Sequence, residues 1–196
     1  FKQKTAYEML RSLVGSEMCI ETDTDENFEQ TEKYIDVTLP EDVFREVQRK
    51  TEQFYERKEK VFYQRIEEER IRDCHGDLRL EHIFWGEEIS IFDCIEFNER
   101  FRYTDVAADI GFLAMDLDYH GREDLSEHLI RSYIQQSGDQ GCQEVLHFYK
   151  SYRAYVRGKV ESFRLDDPNI SAEEKRDALK RAQKYFQLAH RYAQVF

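Results

Sequence analysis

The spacing of apolar residues along this chain predicts a mainly helical protein. Apolar positions recur at intervals of three and four residues, which is the pattern of helices that bury one face. Only two prolines and eight glycines occur in 196 residues, too few for a β protein with many tight turns. The acidic stretch 21–32 predicts a loop that runs into a short helix up to Ile35. The other predicted helices cover residues 1–14, 40 to about 70, 106 to about 117, about 123–137, about 143–163 and a last helix after Ser171.

Between residues 71 and 101 the pattern changes from helical spacing to short apolar segments. Residues 83–85, a turn at 86–88 and residues 89–92 predict a β-hairpin, the only β structure that the pattern indicates. We therefore expect a mainly α (α+β) chain that forms a single domain. Its parts are a helical lead-in over 1–70, the hairpin region over 71–101 and a helical subdomain over 102–196.

Charge and composition narrow the classes of partner. A net charge of −12 argues against nucleic-acid binding, which requires a concentrated basic surface. The acidity is typical of a solvated surface, and it is also compatible with a cationic substrate drawn to an acidic cleft. No apolar run reaches membrane-spanning length and no signal peptide is visible, so neither membrane association nor secretion is expected. The four cysteines form no Cys-x-x-Cys pair, which favours reduced thiols in a cytoplasmic protein.

Two carboxylates, Asp77 and Asp93, flank the predicted hairpin. Asp77 follows His75 and Gly76 in a short turn, and Asp93 ends the apolar strand. Transfer of a phosphoryl group requires a carboxylate that orients and deprotonates the acceptor hydroxyl, and oxygen ligands that hold Mg²⁺ on the phosphates. Asp77 is suited to the first role and Asp93 to the second.

These motifs resemble a known family. The run His75–Leu78 (His-Gly-Asp-Leu), with Asp93 at this distance, resembles the catalytic lobe of the aminoglycoside phosphotransferase family, which has a protein-kinase-like fold. The runs 92–99, 102–109 and 112–117 resemble, more specifically, a bacterial branch in which such a kinase-like domain precedes a P-loop ATPase domain. The resemblance covers most of the chain. It implies the helical large lobe of a kinase-like enzyme that uses Mg²⁺ and ATP or GTP to phosphorylate a small-molecule hydroxyl.

The resemblance also implies roles for individual residues. Asp77 matches the catalytic base of the family, and Asp93 matches its metal-binding Asp. Asp105, in Asp-Val-Ala, matches the acid that buttresses the catalytic loop. His75 is expected to be a structural imidazole that pins the turn around Asp77.

Two positions depart from the family pattern. His82 stands where the family usually has a metal-binding Asn, and an imidazole is a poorer Mg²⁺ ligand than an amide oxygen. Either His82 contributes to metal and cofactor binding through its ring nitrogen or a water, or the second metal position is lost. Arg79 replaces a frequent His, and it can reach a cofactor phosphate or pair with Glu81 or Glu96.

Some parts of a kinase-like enzyme are missing from the sequence. The chain has no Gly-x-Gly-x-x-Gly, no Gly-x-x-x-x-Gly-Lys and no lysine in an apolar strand before Asp77. It also begins, at Phe1, inside a predicted helix. We therefore expect the N-terminal β lobe to belong to a larger parent protein, which can also carry the P-loop ATPase domain. The isolated chain is expected to be inactive.

Two other interpretations remain open at the level of the sequence. The first is a non-catalytic, pseudokinase-type module for nucleotide binding or protein interaction, which His82 and the missing lobe favour. The second is a non-haem iron site formed by His75, Asp77 and either His120 or His128. Such sites usually occur on β-rich scaffolds, which the helical pattern does not predict.

Overall fold

The computed structural model describes residues 24–196 of the chain. It is 70% helical with two small two-stranded sheets, which confirms the expected mainly α class with some β structure. The predicted helix over residues 1–14 lies outside the described residues. The helices are α1 (described over 24–31), α2 (Glu41–Glu67), α3 (Glu99–Arg102), α4 (Val106–Tyr119), α5 (Glu123–Ser137), α6 (Cys142–Phe163) and α7 (Ala172–Ala193). The strands are β1 (Ile71–Asp73), β2 (Ile83–Trp85), β3 (Ile89–Ile91) and β4 (Tyr103–Asp105).

The core lies where α2, α4, α6 and α7 pack together. Gly158 of α6 lets the two last helices approach closely, because a Cβ at this position would lie 2.8 Å from the Phe186 ring of α7. Phe54 of α2 stacks on Phe148 of α6, with ring centroids 4.8 Å apart. The predicted start of α7 is confirmed by a capping box in which Ser171 and Glu174 exchange hydrogen bonds. No helix within residues 24–196 is both long and apolar enough to cross a membrane.

Residues 24–31 are helical and a 3₁₀ turn follows at Glu32–Tyr34, so the short helix predicted up to Ile35 is confirmed, whereas the loop predicted before it does not extend into 24–31. Phe28 is buried and packs edge-on against Tyr155, at a centroid distance of 4.9 Å. Thr31 is fully buried, and its hydroxyl lies 2.6 Å from the Tyr155 hydroxyl. These contacts with α6 stabilise the helix. Its many acidic surface residues are typical of a loop, so the sequence pattern alone did not predict it over this range.

A second sheet was not predicted from the sequence. Helix α2 ends at Glu67 rather than near Arg70, and Glu69 adopts a positive φ of 54°. The chain then enters β1, which pairs antiparallel with β4 in the register Ile71↔Asp105. Each strand has three residues, too few to show an alternating pattern. The predicted hairpin is confirmed as β2 and β3, with Ile83 opposite Ile91.

A buried ionic cluster joins these elements behind the hairpin region. The guanidinium of Arg65, on α2, is 1% exposed and pairs with Asp105 and Asp139, both 0% exposed. Asp105 caps α4 by accepting from the N–H of Ala107, and Asp139 accepts at 3.1 Å from the N–H of Cys142 at the start of α6. Burial would lower the pKa of Arg65, but its hydrogen bonds to the two carboxylates hold the pKa above the ordinary value. One cation therefore fixes α2 to the starts of α4 and α6.

Candidate active site

The turn that carries Asp77 is held by a buried acid of α4. The Asp109 carboxylate accepts hydrogen bonds from the backbone N–H of His75 at 2.7 Å and of Gly76 at 3.0 Å. Gly76 has a φ of 81°, and a Cβ there would meet Ile95 Cδ1 at 3.0 Å and the Phe101 carbonyl at 3.1 Å. The turn thus requires glycine both for its backbone conformation and for the close approach of neighbouring residues.

Two imidazoles fix the backbone on either side of Asp77. His75 Nδ1 lies 3.3 Å from the Asp77 N–H, which donates to it, and His75 Nε2 lies 2.8 Å from the carbonyl of Phe92. His82 is buried, and its Nδ1 lies 2.8 Å from the carbonyl of Asp77. The expected structural role of His75 agrees with these contacts, which tie the turn to the end of the hairpin.

The carboxylate of Asp77 forms a two-pronged ion pair with Arg79. Arg79 Nε donates to Oδ1 at 3.0 Å and Nη2 donates to Oδ2 at 2.9 Å. Burial would raise the pKa of Asp77, but the hydrogen bonds and charge of Arg79 and the charge of Arg157 hold it below its ordinary value. Asp77 is therefore ionised at neutral pH. Arg79 also pairs with Glu81, one of the two partners anticipated from the sequence.

Asp93 and His82 converge at the end of the hairpin. Because His82 Nδ1 donates to a carbonyl, the lone pair of the neutral ring lies on Nε2. This Nε2 is 3.4 Å from Asp93 Oδ2, close enough for both atoms to be neighbouring ligands of one cation. Asp93 is largely exposed and has a positive φ of 62°, a conformation that is uncommon outside glycine and concentrated at functional sites. The pair fits a divalent metal that takes its remaining ligands from phosphate and water.

Asp105 does not make the contact with the turn before Asp77 that its expected buttressing role requires. Its carboxylate bonds to Arg65, to the N–H of Ala107 and to the Tyr149 hydroxyl, and the turn before Asp77 is instead held by Asp109. The register of β4 explains this, because Asp105 ends the strand inside the buried cluster whereas Asp109 lies one helical turn closer to the turn around Asp77. Asp105 supports the region from behind.

A second acid that the sequence did not identify also positions this segment. Asp116 of α4 is buried, and its carboxylate accepts from the backbone N–H of Leu80 at 2.9 Å. An acid among the apolar residues of a buried helix is the signal that could have identified both Asp109 and Asp116.

A cavity of about 320 Å³ opens beside Asp77. Its near side is formed by Gly76 and Asp77 of the turn, with Ile95 and Phe101. The rest of its lining comes from α1, α4 and α6 and includes Glu26, Asn27, Phe112, Tyr152, Arg153, Arg157 and Lys159. The arginines on this surface had not been singled out in the sequence.

The iron site considered from the sequence is not assembled. Within residues 24–196, no three His, Cys, Asp or Glu side chains are grouped so that they could hold a metal by themselves. His75 uses both ring nitrogens for backbone contacts, and His120 lies beside Asp116, with 3.9 Å between Nε2 and Oδ1.

Comparisons with known proteins identify relatives but no function. No family model matches the chain, and no solved structure matches it. Proteins that carry the name uncharacterized in Mycobacterium tuberculosis strains H37Rv and CDC 1551, and in Mycobacterium bovis, are each 38% identical over 140 residues. The match covers 71% of this chain and 28% of each relative, so the chain spans little more than a quarter of the length of these proteins.

Proposed function

We propose that this chain is the acceptor-side lobe of a kinase-like phosphotransferase related to the aminoglycoside phosphotransferase family. In the full-length protein it would transfer a phosphoryl group from ATP or GTP to the hydroxyl of a small molecule. Asp77 is the general base, and Asp93 with His82 holds a divalent cation. The chain by itself is inactive in this proposal, because it contains no glycine-rich phosphate loop and no strand lysine.

The observation that carries the proposal is the arrangement of three groups around the hairpin. An ionised carboxylate, Asp77, faces a cavity of metabolite size. At the end of the hairpin, Oδ2 of Asp93 lies 3.4 Å from Nε2 of His82. Phosphoryl transfer depends mainly on positioning and electrostatics, and this arrangement supplies a base and a metal position on fixed backbone.

The residues of the chain have defined tasks in such a reaction. The acceptor hydroxyl lies in the cavity and donates a hydrogen bond to Asp77. As its oxygen bonds to the γ-phosphorus and the bond to the leaving nucleotide oxygen breaks, the hydroxyl proton passes to the Asp77 carboxylate. Arg79 keeps that carboxylate ionised and oriented, and Asp109 fixes the turn that carries it. Bound Mg²⁺-nucleotide supplies the phosphoryl group and the positive charge that offsets the phosphates.

The remaining partners follow from the same proposal. The β lobe that covers the nucleotide belongs to another part of the parent protein, which can also include a P-loop ATPase domain. Nucleic acid and membranes are not partners, and the protein acts in the cytoplasm. His82 stands where the family usually has an Asn, so the metal site would have one oxygen donor, from Asp93, and one nitrogen donor, from His82. In this proposal the metal position is retained with altered donors.

The test is a phosphorylation assay of the full-length protein against a panel of small-molecule alcohols, with ATP or GTP. Asp77→Asn should lower the turnover by about 10²- to 10⁴-fold, the range for loss of a general base. Asp177→Asn, an exposed acid on α7, is the matched control and should retain activity. Full turnover in Asp77→Asn would exclude Asp77 as the base.

A pseudokinase is the second candidate, and the Asp77–Arg79 ion pair favours it. Both carboxylate oxygens already accept hydrogen bonds from Arg79, which leaves fewer lone pairs for an acceptor hydroxyl. Calorimetry with Mg²⁺-ATP separates the two candidates. Tight nucleotide binding without transfer to any alcohol, and without an effect of Asp77→Asn, would support the pseudokinase.

A further inference from the structure

Two arginines of α6 line the cavity beside Asp77, on the wall that α6 forms. Arg153 and Arg157 are one helical turn apart, and both line the cavity. The guanidinium carbon of Arg153 lies 4.9 Å from the centroid of the Phe112 ring, and that of Arg79 lies 5.9 Å from the same centroid. Phe112 therefore contacts both this wall and the ion pair at the catalytic base.

The two arginines are incompletely satisfied by the protein. The Nε atoms of Arg153 and Arg157 are buried and have no hydrogen-bond partner among the described residues. Arg153 has no ion pair with any described carboxylate, and its charge lies over the rings of Phe112 and Tyr152. The ion pair of Arg157 with Glu161 is long, at 3.8 Å. Partly buried guanidinium groups with unused donors are well suited to bind a carboxylate or a phosphate in two-pronged fashion.

The other charges of the cavity add to this positive character. Lys159 also lines it and donates to the side-chain oxygens of Asn27 and Gln30. The acids on its surface are Glu26 and Asp77, and the Asp77 charge is already matched by Arg79 outside the lining. This local excess of cations occurs in a chain of net charge −12, in which a cationic wall is the exception.

We propose that Arg153 and Arg157 bind an anionic group, a carboxylate or a phosphate, on the same small molecule whose hydroxyl is presented to Asp77. This rests on the proposed function and names its substrate class as hydroxy acids or phosphorylated alcohols. The overall acidity of the chain was compatible with a cationic acceptor, whereas the charges that line the cavity favour an anionic one. An anion held on α6 leaves the other end of the molecule facing the catalytic turn.

The test measures binding to the full-length protein without nucleotide, by titration calorimetry. The probes are glycerol 3-phosphate and glycerate as anionic alcohols, glycerol as a neutral one and choline as a cationic one. We expect binding of at least one anionic probe, and a loss of affinity of about 10- to 100-fold in Arg153→Met and in Arg157→Met. Arg153→Lys should retain part of the affinity, and Arg176→Met, an exposed arginine of α7, should retain all of it. Thermal unfolding verifies that each variant is folded.

Each outcome of this test decides the inference. Preference for glycerol 3-phosphate identifies a phosphate as the anionic group, and preference for glycerate identifies a carboxylate. Preference for choline or glycerol, no binding of either anionic probe, or unchanged affinity in both Met variants overturns the inference. Because no nucleotide is present, a failure to observe phosphoryl transfer counts against the proposed function and leaves this measurement intact.

Discussion

Asp109 and Gly76 are joined by a hydrogen bond that the backbone N–H of Gly76, at the tightest point of the turn before Asp77, donates to the buried carboxylate of Asp109 on α4. The same carboxylate accepts from the neighbouring N–H of His75. Because both of these donors are backbone groups, the Asp109 carboxylate fixes the backbone of the turn and not the side chain of Asp77. The position of Asp77 is therefore determined by α4 more than by its own rotamer.

Replacing Asp109 by Asn should loosen the turn that carries Asp77. The amide keeps one acceptor and brings an NH₂ group toward two backbone donors, so one N–H is left unsatisfied at a cost of about 1–3 kcal/mol. We expect this loss in urea unfolding, with a larger relative loss of phosphoryl transfer. Asp42→Asn is the control, because Asp42 accepts from the backbone N–H of Val43 at an exposed site. Equal stability losses in the two variants would contradict the role of Asp109.

Gly76→Ala tests the close packing of the turn separately from its backbone conformation. The added Cβ would meet Ile95 and the Phe101 carbonyl at 3.0 and 3.1 Å, in addition to the strain of a positive φ. Gly121→Ala carries a similar φ of 74° with no atom within 4 Å of the new Cβ. We expect about 1 kcal/mol of destabilisation at Gly121 and at least twice that at Gly76, measured by urea unfolding. Equal destabilisation in the two variants would mean that the residues around Gly76 move aside for the added Cβ without a loss of stability.

His82→Asn should change the metal preference of the site. Imidazole nitrogen favours Mn²⁺ over Mg²⁺, and an amide oxygen, which suits both ions, reduces this preference. We expect Mn²⁺ bound to the full-length protein with nucleotide to show nitrogen hyperfine coupling by paramagnetic resonance. His82→Asn should abolish this coupling and weaken Mn²⁺ relative to Mg²⁺ by about tenfold. His120→Asn, an exposed histidine, is the control, and an unchanged coupling in His82→Asn would show that His82 is not a ligand.

Arg79→Gln should move the acid limb of activity to higher pH. In the folded protein the pKa of Asp77 is below its ordinary value of about 3.9. The stabilisation from its ion pair is therefore complete above about pH 3.9 and is lost as the pH falls through the lowered pKa of the folded state. Without Arg79 the raising effect of burial is no longer opposed by the ion pair. The pH dependence of kcat/KM measures the shift. Arg72→Gln, an exposed arginine, should leave the limb in place.

Arg65→Met should be among the most destabilising substitutions in the chain. It leaves the carboxylate of Asp105 buried without its cation and Asp139 with only the more distant Arg70, at 3.8 Å, which costs about 3–5 kcal/mol. Arg122→Met removes an exposed pair with Asp124 and should cost at most about 1 kcal/mol. Urea unfolding at neutral pH compares them. A loss below about 1 kcal/mol in Arg65→Met would mean that the two acids become protonated or solvated.

The sequence predicted what local periodicity and spacing encode. The hairpin and the start of α7 at Ser171 follow from short patterns, and they were found as expected. Asp109 and Arg153 were missed because their significance arises only when α4 and α6 pack against the turn. Asp109 lies 33 residues from Gly76 along the chain, and no short-range pattern reports that contact. β1 and β4 were missed for the same reason, since each needs the other to be a strand.

The hairpin places an aromatic side chain in an unusual position. Trp85 is the one tryptophan of the chain, and on β2 it is 79% exposed to solvent. Indole emission shifts to shorter wavelength when water is removed from around the ring. In this chain all such emission comes from the strand that follows His82, without a background from the helical core. Fluorescence of the unlabelled chain therefore reports directly on whatever covers this hairpin, whether a ligand or another protein segment.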